Sequence, residues 1–138
     1  MPRQQRQILK EARLRSTASR TVILGLFLHS THALSYSDIE RELCNSFDRV
    51  TVYRTLKTFL DKGIVHKILD DEGGLRYALC SNHCRESGHR HNHIHFKCGR
   101  CGLTSCLDEV EVPDINLPAG YKMEAVNLLI QGTCLACQ

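Results

Sequence analysis

The feature that most constrains this chain is a stretch rich in metal ligands at residues 89–101, which reads HRHNHIHFKCGRC. Alternate side chains of an extended strand point to opposite faces, so we expect His93 and His95 to share one face. Cys98 and Cys101 follow at the two-residue spacing that lets two thiolates bind one ion. The stretch therefore predicts two adjacent sets of metal ligands.

A second pair of thiols lies near residue 138, where Cys134 and Cys137 repeat the same spacing. Two such pairs are typical of a closed tetrahedral zinc site, which stabilises a fold and leaves no coordination position for chemistry. We predict a structural zinc site formed by Cys98, Cys101, Cys134 and Cys137. The alternative is two disulfides. The sequence shows no apolar signal segment and no transmembrane run, so a reducing, cytoplasmic location is expected and zinc is favoured.

The charge of the chain is unevenly distributed. The formal net charge is only +3, yet six basic residues and a single acid, Glu11, occupy positions 1–20. A basic N-terminal segment favours a polyanionic partner, and nucleic acid is the usual one. The alternative is a basic helix face that contacts only solvent.

Apolar spacing predicts three short helices before residue 46. The first covers residues 4–14, and the second begins at a Ser16 or Thr17 cap and ends near His29. The third begins at Ser35 or Ser37 and turns Ile39 and Leu43 inward. These helices are expected to support the helix that follows.

The fourth predicted helix starts at an Asp48 cap and stops at Gly63. Its expected buried stripe is Val52, Leu56, Phe59 and Leu60. Its expected outward residues are Arg49, Thr51, Tyr53, Arg54 and Lys57. Guanidinium, phenol and methyl groups suit base edges in the major groove, and an ammonium suits phosphate, so this face predicts DNA reading. An ordinary amphipathic helix with a charged face is the alternative.

Residues 64–69 and 75–79 resemble two strands joined by a polar turn. Helices followed by a hairpin are typical of a winged helix-turn-helix. We therefore predict an α+β fold with a winged-helix DNA-binding domain at 1–80, a hinge at 81–91, and a metal-binding and dimerisation domain at 92–138.

Four segments together resemble the ferric uptake regulator superfamily of bacterial metal-responsive repressors: RVTVYRTLKTFLDKGIV, EGGLRYALC, HNHIHFKCGRCG and CLAC. The resemblance covers nearly the whole chain. It implies a homodimer whose subunits combine an N-terminal winged helix with a C-terminal α/β dimerisation domain, and which binds an inverted-repeat DNA operator when a regulatory metal is loaded. It also implies that Tyr53 reaches a base edge and Arg54 a phosphate, and we include Arg15 among the DNA-binding residues.

Within that superfamily the chain is most similar to the zinc uptake regulators. In that branch a cysteine after the hairpin joins the two histidines, and Cys80 stands there. A further ligand follows the recognition helix, where this chain has His66. The resemblance implies a regulatory site of His66, Cys80, His93 and His95, a donor set suited to zinc, with iron or manganese as alternatives.

Three regions depart from a simple family pattern. Residues 83, 84, 89 and 91 are His or Cys, which is consistent with extra zinc or with a flexible hinge. Pro113, Pro118 and Gly120 interrupt residues 110–121, so little helix is expected there, and residues 122–131 are expected to contain an interface strand. Cys44 and Cys106 lie among apolar residues and are expected to be core thiols.

Other function classes fit less well. A zinc hydrolase needs a general base beside an open metal position, and no such carboxylate accompanies these histidines, so we predict no enzyme and no small-molecule substrate. No membrane partner is expected. A zinc-storage protein or metallochaperone accounts for the ligands but not for the basic helices. A peroxide-responsive regulator of the same superfamily is another alternative, which the thiolate of Cys80 disfavours.

Overall fold

The computed structural model describes residues 2–69, 73–79, 93–107, 109–124 and 126–138. The helices are α1 (Pro2–Glu11), α2 (Ala18–His29), α3 (Tyr36–Leu43) and α4 (Arg49–Asp61), with a short 3-10 helix at Leu135–Cys137. The strands are β1 (Leu34–Ser35), β2 (Val65–Leu69), β3 (Leu75–Leu79), β4 (His93–Cys98), β5 (Thr104–Cys106) and β6 (Asn127–Gly132). No helix within these ranges is long and apolar enough to cross a membrane.

The first two helices follow the sequence pattern with shifted bounds. Helix α1 ends three residues earlier than predicted, because Arg13 adopts a left-handed conformation with φ +59° that a helix cannot continue. Thr17 caps α2, its hydroxyl accepting a hydrogen bond from the Arg20 amide. Within α2, Leu24 is buried and Val22 is 44% exposed.

Helices α3 and α4 form the helix-turn-helix. Ser35 and Asp38 form a capping box at α3, each side chain bonding the backbone amide of the other residue. Asp48 caps α4 by accepting a hydrogen bond from the Thr51 amide, and Gly63, at φ +70°, follows the helix end. The predicted start and stop of this helix are confirmed.

A single apolar core joins the four helices to the first sheet. Its members come from every helix and from β1, β2 and β3, and Leu9, Ile39 and Phe59 are completely buried. The sheet has strand order β1-β3-β2 and is antiparallel throughout. Strands β2 and β3 form the predicted wing, whereas the two-residue β1 was not predicted. Residues 70–72 of the predicted turn lie outside the described residues.

The second sheet has strand order β5-β4-β6, with β4 antiparallel to β5 and parallel to β6. A strand was expected within 122–131, and β6 is observed at Asn127–Gly132. Its role as an interface strand stays a prediction. The described residues between β5 and β6 contain no helix, as the prolines predict. The fold is thus α+β, with a winged helix-turn-helix followed by a small sheet that leads into a cluster of four cysteines.

Candidate metal centres and nucleic-acid interface

A group of four cysteines, the thiol cluster, lies at one end of the second sheet. Its members are Cys98, Cys101, Cys134 and Cys137, with all sulfur atoms within 4.8 Å of one another. The parallel pairing of β4 and β6 places Cys98 opposite Gly132, and the Gly99 amide donates to the Gly132 carbonyl at 2.8 Å. This pairing brings the last cysteine pair beside the first.

The thiol cluster fits a tetrahedral ion. The Sγ atoms of Cys101 and Cys134 are 3.8 Å apart. Two sulfurs bound to one zinc at tetrahedral angles lie about 3.8 Å apart, from a Zn–S distance of about 2.3 Å. No cysteine in the described part of the chain forms a disulfide, so the disulfide alternative is not supported there.

The pKa values of two of the thiols, Cys98 and Cys137, are shifted in opposite directions. Backbone amides of Cys101 and Cys134 donate hydrogen bonds to the Cys98 sulfur and lower the pKa of this thiol to about 5. Hydrogen bonds with the thiols of Cys134, Cys101 and Cys98 raise the pKa of Cys137 to about 12. The first thiolate therefore forms readily, whereas a fourth needs a compensating cation. Four thiolates held this close together are therefore expected to need a bound cation, as in a metal site.

A second group, the bridging cluster, consists of His66, His95 and Cys106. Their donor atoms lie within 4.8 Å of one another, although His66 belongs to β2 of the first sheet and the others to β4 and β5. Both imidazoles are buried, with 4% of His66 and 3% of His95 exposed. The two Nε2 atoms are 3.1 Å apart, and the rings stack with centroids 5.2 Å apart.

The bridging cluster also fits a shared ion. Two imidazole nitrogens on one tetrahedral zinc lie about 3.3 to 3.4 Å apart, given Zn–N distances of about 2.0 to 2.1 Å. The observed 3.1 Å between the Nε2 atoms of His66 and His95 is close to that separation. Of the predicted regulatory ligands, Cys80 and the side chain of His93 lie outside the described residues. The structure thus brings together two of the four predicted residues, with Cys106 beside them.

Cys106 was expected to be a core thiol, but it is half-buried, and strand register pairs it directly with His95. The turn at Cys98–Cys101 was the sequence signal for this pairing. An antiparallel strand that returns after this turn fixes which residue of β5 lies opposite His95. Cys44, the other expected core thiol, is exposed at the C-cap of α3.

Contacts near the bridging cluster join the two sheets. The Ala33 amide donates a 2.6 Å hydrogen bond to the carbonyl of Thr104, in β5. Ala33 also forms a small buried apolar cluster with Ile68 and Ala78. Because Ala78 pairs with His66 and Thr104 lies two residues before Cys106, the contact adjoins two members of the bridging cluster.

The outward face of α4 carries most of the predicted DNA-binding residues. The exposed side chains are Arg49, Tyr53, Arg54 and Lys57. Thr51 is half-buried, and Arg15 is exposed between α1 and α2. Arg49 pairs with Glu40 of α3 at 3.1 Å, which orients its guanidinium at the start of the helix. The face combines donors and an aromatic ring, as base and phosphate contacts require.

The sequence matches the model of the ferric uptake regulator family over residues 11–130. It is also similar to the ferric uptake regulation protein of Staphylococcus aureus, with 31% identity over 137 aligned residues that cover 96% of this chain and 94% of the relative.

Two solved structures are similar in fold. Holo XcZur superposes with a TM-score of 0.70 at 21% identity, covering 99% of this chain and 98% of that one. A zinc uptake regulator complexed with zinc and DNA gives a TM-score of 0.67 at 24% identity, covering 98% and 91% of the two chains. At these identities the two likenesses show the fold alone.

Proposed function

Because the chain belongs to the ferric uptake regulator family of metal-responsive, DNA-binding transcription regulators, we propose that it is a zinc-responsive repressor. It binds an inverted-repeat operator as a homodimer when its regulatory site is loaded. The observation that carries this proposal is the bridging cluster, in which His66, His95 and Cys106 approach from two different sheets.

The donor set favours zinc. Two imidazoles and a thiolate are ligands that zinc prefers, whereas magnesium, calcium and manganese favour oxygen. Cys80 and His93 remain proposed ligands beside His66 and His95, and Cys106 is the alternative thiolate donor, since zinc takes four ligands. A zinc ion held there would cross-link the first sheet to the second. The thiol cluster is proposed to hold a second, structural zinc.

The regulatory mechanism is a bias between arrangements of two domains, proposed at 1–80 and 92–138 with a hinge at 81–91. Donors on β2 and on β4 and β5 converge only when the two sheets are docked as described. The bond from Ala33 to Thr104 forms in the same docked arrangement. A ligand that binds one arrangement more tightly shifts the population toward it, typically by about 1 to 3 kcal/mol.

Helix α4 is proposed to enter the major groove. Arg49, Tyr53, Arg54 and Lys57 are exposed along it, and the wing formed by β2 and β3 follows in the chain. Tyr53, 62% exposed, is proposed to reach a base edge and Arg54 a phosphate. Thr51 and Arg15 complete the proposed contacts. In a dimer, the spacing of the two α4 helices decides whether both reach successive grooves.

Homodimerisation is supported by apolar surface in the C-terminal half, residues 93–138. Strand β6 is an edge of its sheet, and Ile130 on it is 44% exposed. Exposed apolar clusters and uncovered sheet edges favour association. The other exposed large apolar residues of this half are Leu103, Val110, Ile115, Leu117, Tyr121, Met123 and Leu135.

The test measures zinc content per chain and DNA binding together, during stepwise chelation under reducing conditions. We expect about two zinc ions per chain, the weaker of which is required for operator binding. Cys80→Ser should abolish the zinc response and leave the thiol cluster filled, whereas Cys44→Ser should change neither. Zinc binding without DNA binding would favour a storage protein or metallochaperone and contradict the proposal.

An iron-responsive regulator is the second candidate, because the Staphylococcus aureus relative is a ferric uptake regulation protein. Titration of the chelated protein with Zn(II), Fe(II) or Mn(II) separates the candidates. Restoration of DNA binding by zinc at the lowest free concentration supports zinc sensing. Restoration by iron or manganese alone would reassign the signal and leave the DNA-binding role intact. Peroxide inactivation of an iron-loaded form, with an oxidised His93 or His95, would indicate a peroxide sensor.

A further inference from the structure

Helix α1 carries a stripe of cations on its solvent side. Arg3, Arg6 and Lys10 are exposed and recur at three- and four-residue intervals, so they lie along one face. Ile8 and Leu9 are buried on the opposite side, with 8% and 0% of their surface exposed. The amphipathic pattern fixes which way the helix faces, and the cations point away from the core.

Within the described residues, the stripe forms no ion pair with an acid. The ion pairs found among the described residues use Arg41, Arg49 and Arg76, and none uses Arg3, Arg6 or Lys10. The first turn of α1 contains no acid, and Glu11, the one acid of the helix, accepts a hydrogen bond from Gln7. Three cations against the single acid Glu11 therefore give the helix a net positive potential.

The shape of this surface suits an anionic chain. A shallow depression of about 450 Å³ is lined by Arg3, Arg6, Gln7 and Lys10. Its side chains offer cationic or amide donors, which are the groups that contact phosphate oxygens. From Arg3 to Lys10 the helix rises about 10 Å, which matches the axial length of about three phosphates on one DNA strand.

We propose that the Arg3, Arg6 and Lys10 stripe binds the DNA backbone beyond the segment that α4 reads. This inference rests on the proposed DNA-binding function and lengthens the segment of DNA that the protein contacts. Helix α1 packs on α2, and α2 packs on α4, with Leu9, Leu24 and Phe59 buried in their common core. The stripe is thus held rigidly relative to the recognition helix, so both engage one duplex in a fixed register.

The contact is to phosphate and carries no base information. It therefore contributes affinity and orientation, and it weakens as salt rises because bound counterions are released. Gln replaces the cations without loss of helix-forming tendency, which makes Arg6→Gln/Lys10→Gln a suitable test variant. Lys62→Gln/Lys122→Gln is the matched control, since it removes two exposed charges outside the stripe.

The experiment uses the full chain loaded with zinc and a duplex recovered by selection from random sequence. Each double variant is compared with the native protein on the shortest duplex that still binds and on one lengthened by about ten base pairs at each end, roughly one helical turn. We expect Arg6→Gln/Lys10→Gln to bind the short duplex as the native protein does and the long duplex more weakly. The control should match the native protein on both.

Salt dependence gives the second readout. Two fewer phosphate contacts per chain are four fewer per homodimer, and they lower the slope of log affinity against log salt by about 3.6. Between about 50 and about 200 mM salt, the affinity of the native protein for the long duplex should therefore fall by a factor about 150 times larger than that of the variant. Arg6→Lys/Lys10→Arg keeps both charges and should restore the native slope.

An unchanged slope and equal affinities on both duplexes would overturn the inference while the proposed function stands. Equal losses from the test variant and the control would also overturn it, because they would reflect net charge alone. Binding of the stripe to vesicles of anionic lipid, with no effect on DNA, would assign it to another partner. If the native protein selects no duplex, or if Arg54→Gln binds both duplexes normally, the proposed function itself fails.

Discussion

The N-terminal half, residues 2–79, and the C-terminal half, residues 93–138, are stabilised in different ways. The first half has a contiguous apolar core that includes residues of four helices and three strands. Among the described residues of the second half, Ile94 and Cys98 are the buried apolar side chains, with His95 and Thr104 as buried polar ones. The second half therefore depends far more on its thiol cluster.

This difference has a physical cause in the size of the two halves. A small domain buries too little apolar surface to offset chain entropy, so metal sites commonly supply the missing stability. The bridging cluster belongs to neither half, because its donors come from both. Under the proposed function, the thiol cluster would stabilise one half and the bridging cluster would respond to how the two halves are arranged.

The largest effect is expected from Cys98→Ser. Cys98 is completely buried and shares the thiol cluster with three other sulfurs. Its loss should unfold the C-terminal half and leave the N-terminal helices intact, because metal binding and folding are coupled in such sites. Limited proteolysis with mass spectrometry should show rapid cleavage after residue 93 and protection of residues 2–79. A proteolysis pattern equal to that of the native protein would contradict the claim that the C-terminal half depends on the thiol cluster more than the N-terminal half does.

Phe59→Ala should destabilise the N-terminal half by about 3 to 5 kcal/mol, because it removes a large buried ring and leaves a cavity. Phe59 is 0% exposed in the apolar core. Urea unfolding followed by helix ellipticity measures the loss, and the same loss should appear with and without zinc at the thiol cluster. A loss that disappears on chelation would show that the two halves fold as one unit.

Cys106→Ser tests the bridging cluster. We expect it to abolish the increase in DNA affinity caused by the regulatory metal, an effect of about 5- to 150-fold. Fluorescence anisotropy against free zinc measures the change, and Cys44→Ser serves as the control because Cys44 is exposed and outside both clusters. Metal analysis should still find the thiol cluster filled. A native zinc response in Cys106→Ser would restrict the regulatory site to the other proposed ligands.

The smallest effect is expected from Ser35→Ala, which removes the cap of α3 at a cost of about 1 kcal/mol. Burial raises the pKa of Asp38, but hydrogen bonds from Ser35 and the charges of Arg41 and Arg76 lower it below the ordinary 3.8. The Asp38 contribution to stability is therefore complete above the unfolded pKa and disappears as the pH falls through the folded value.

Unfolding by urea at neutral pH and below about pH 4 measures this contribution, because the ordinary pKa of Asp lies near 3.9. Ser35→Ala should lose less stability on acidification than the native protein, since Ser35 supplies hydrogen bonds that lower the Asp38 pKa. An equal acid dependence in both proteins would assign the effect to the arginines instead.

Local signals predicted the helix-turn-helix closely. The caps at Thr17, Ser35 and Asp48 and the stop at Gly63 all occur as expected. These signals act within four residues, so they need no knowledge of the fold. The end of α1 was placed too late, because nothing in the local pattern marks the left-handed conformation of Arg13.

The sequence by itself determined which residues form the thiol cluster, because each of the two cysteine pairs is recognisable from its own local spacing. Tertiary structure decided the membership of the bridging cluster. His66 and His95 are 29 residues apart, and Cys106 reaches them through the β4–β5 register and the docking of the two sheets. Spacing within a motif can be read along the chain, whereas contacts between sheets depend on packing that no local pattern encodes.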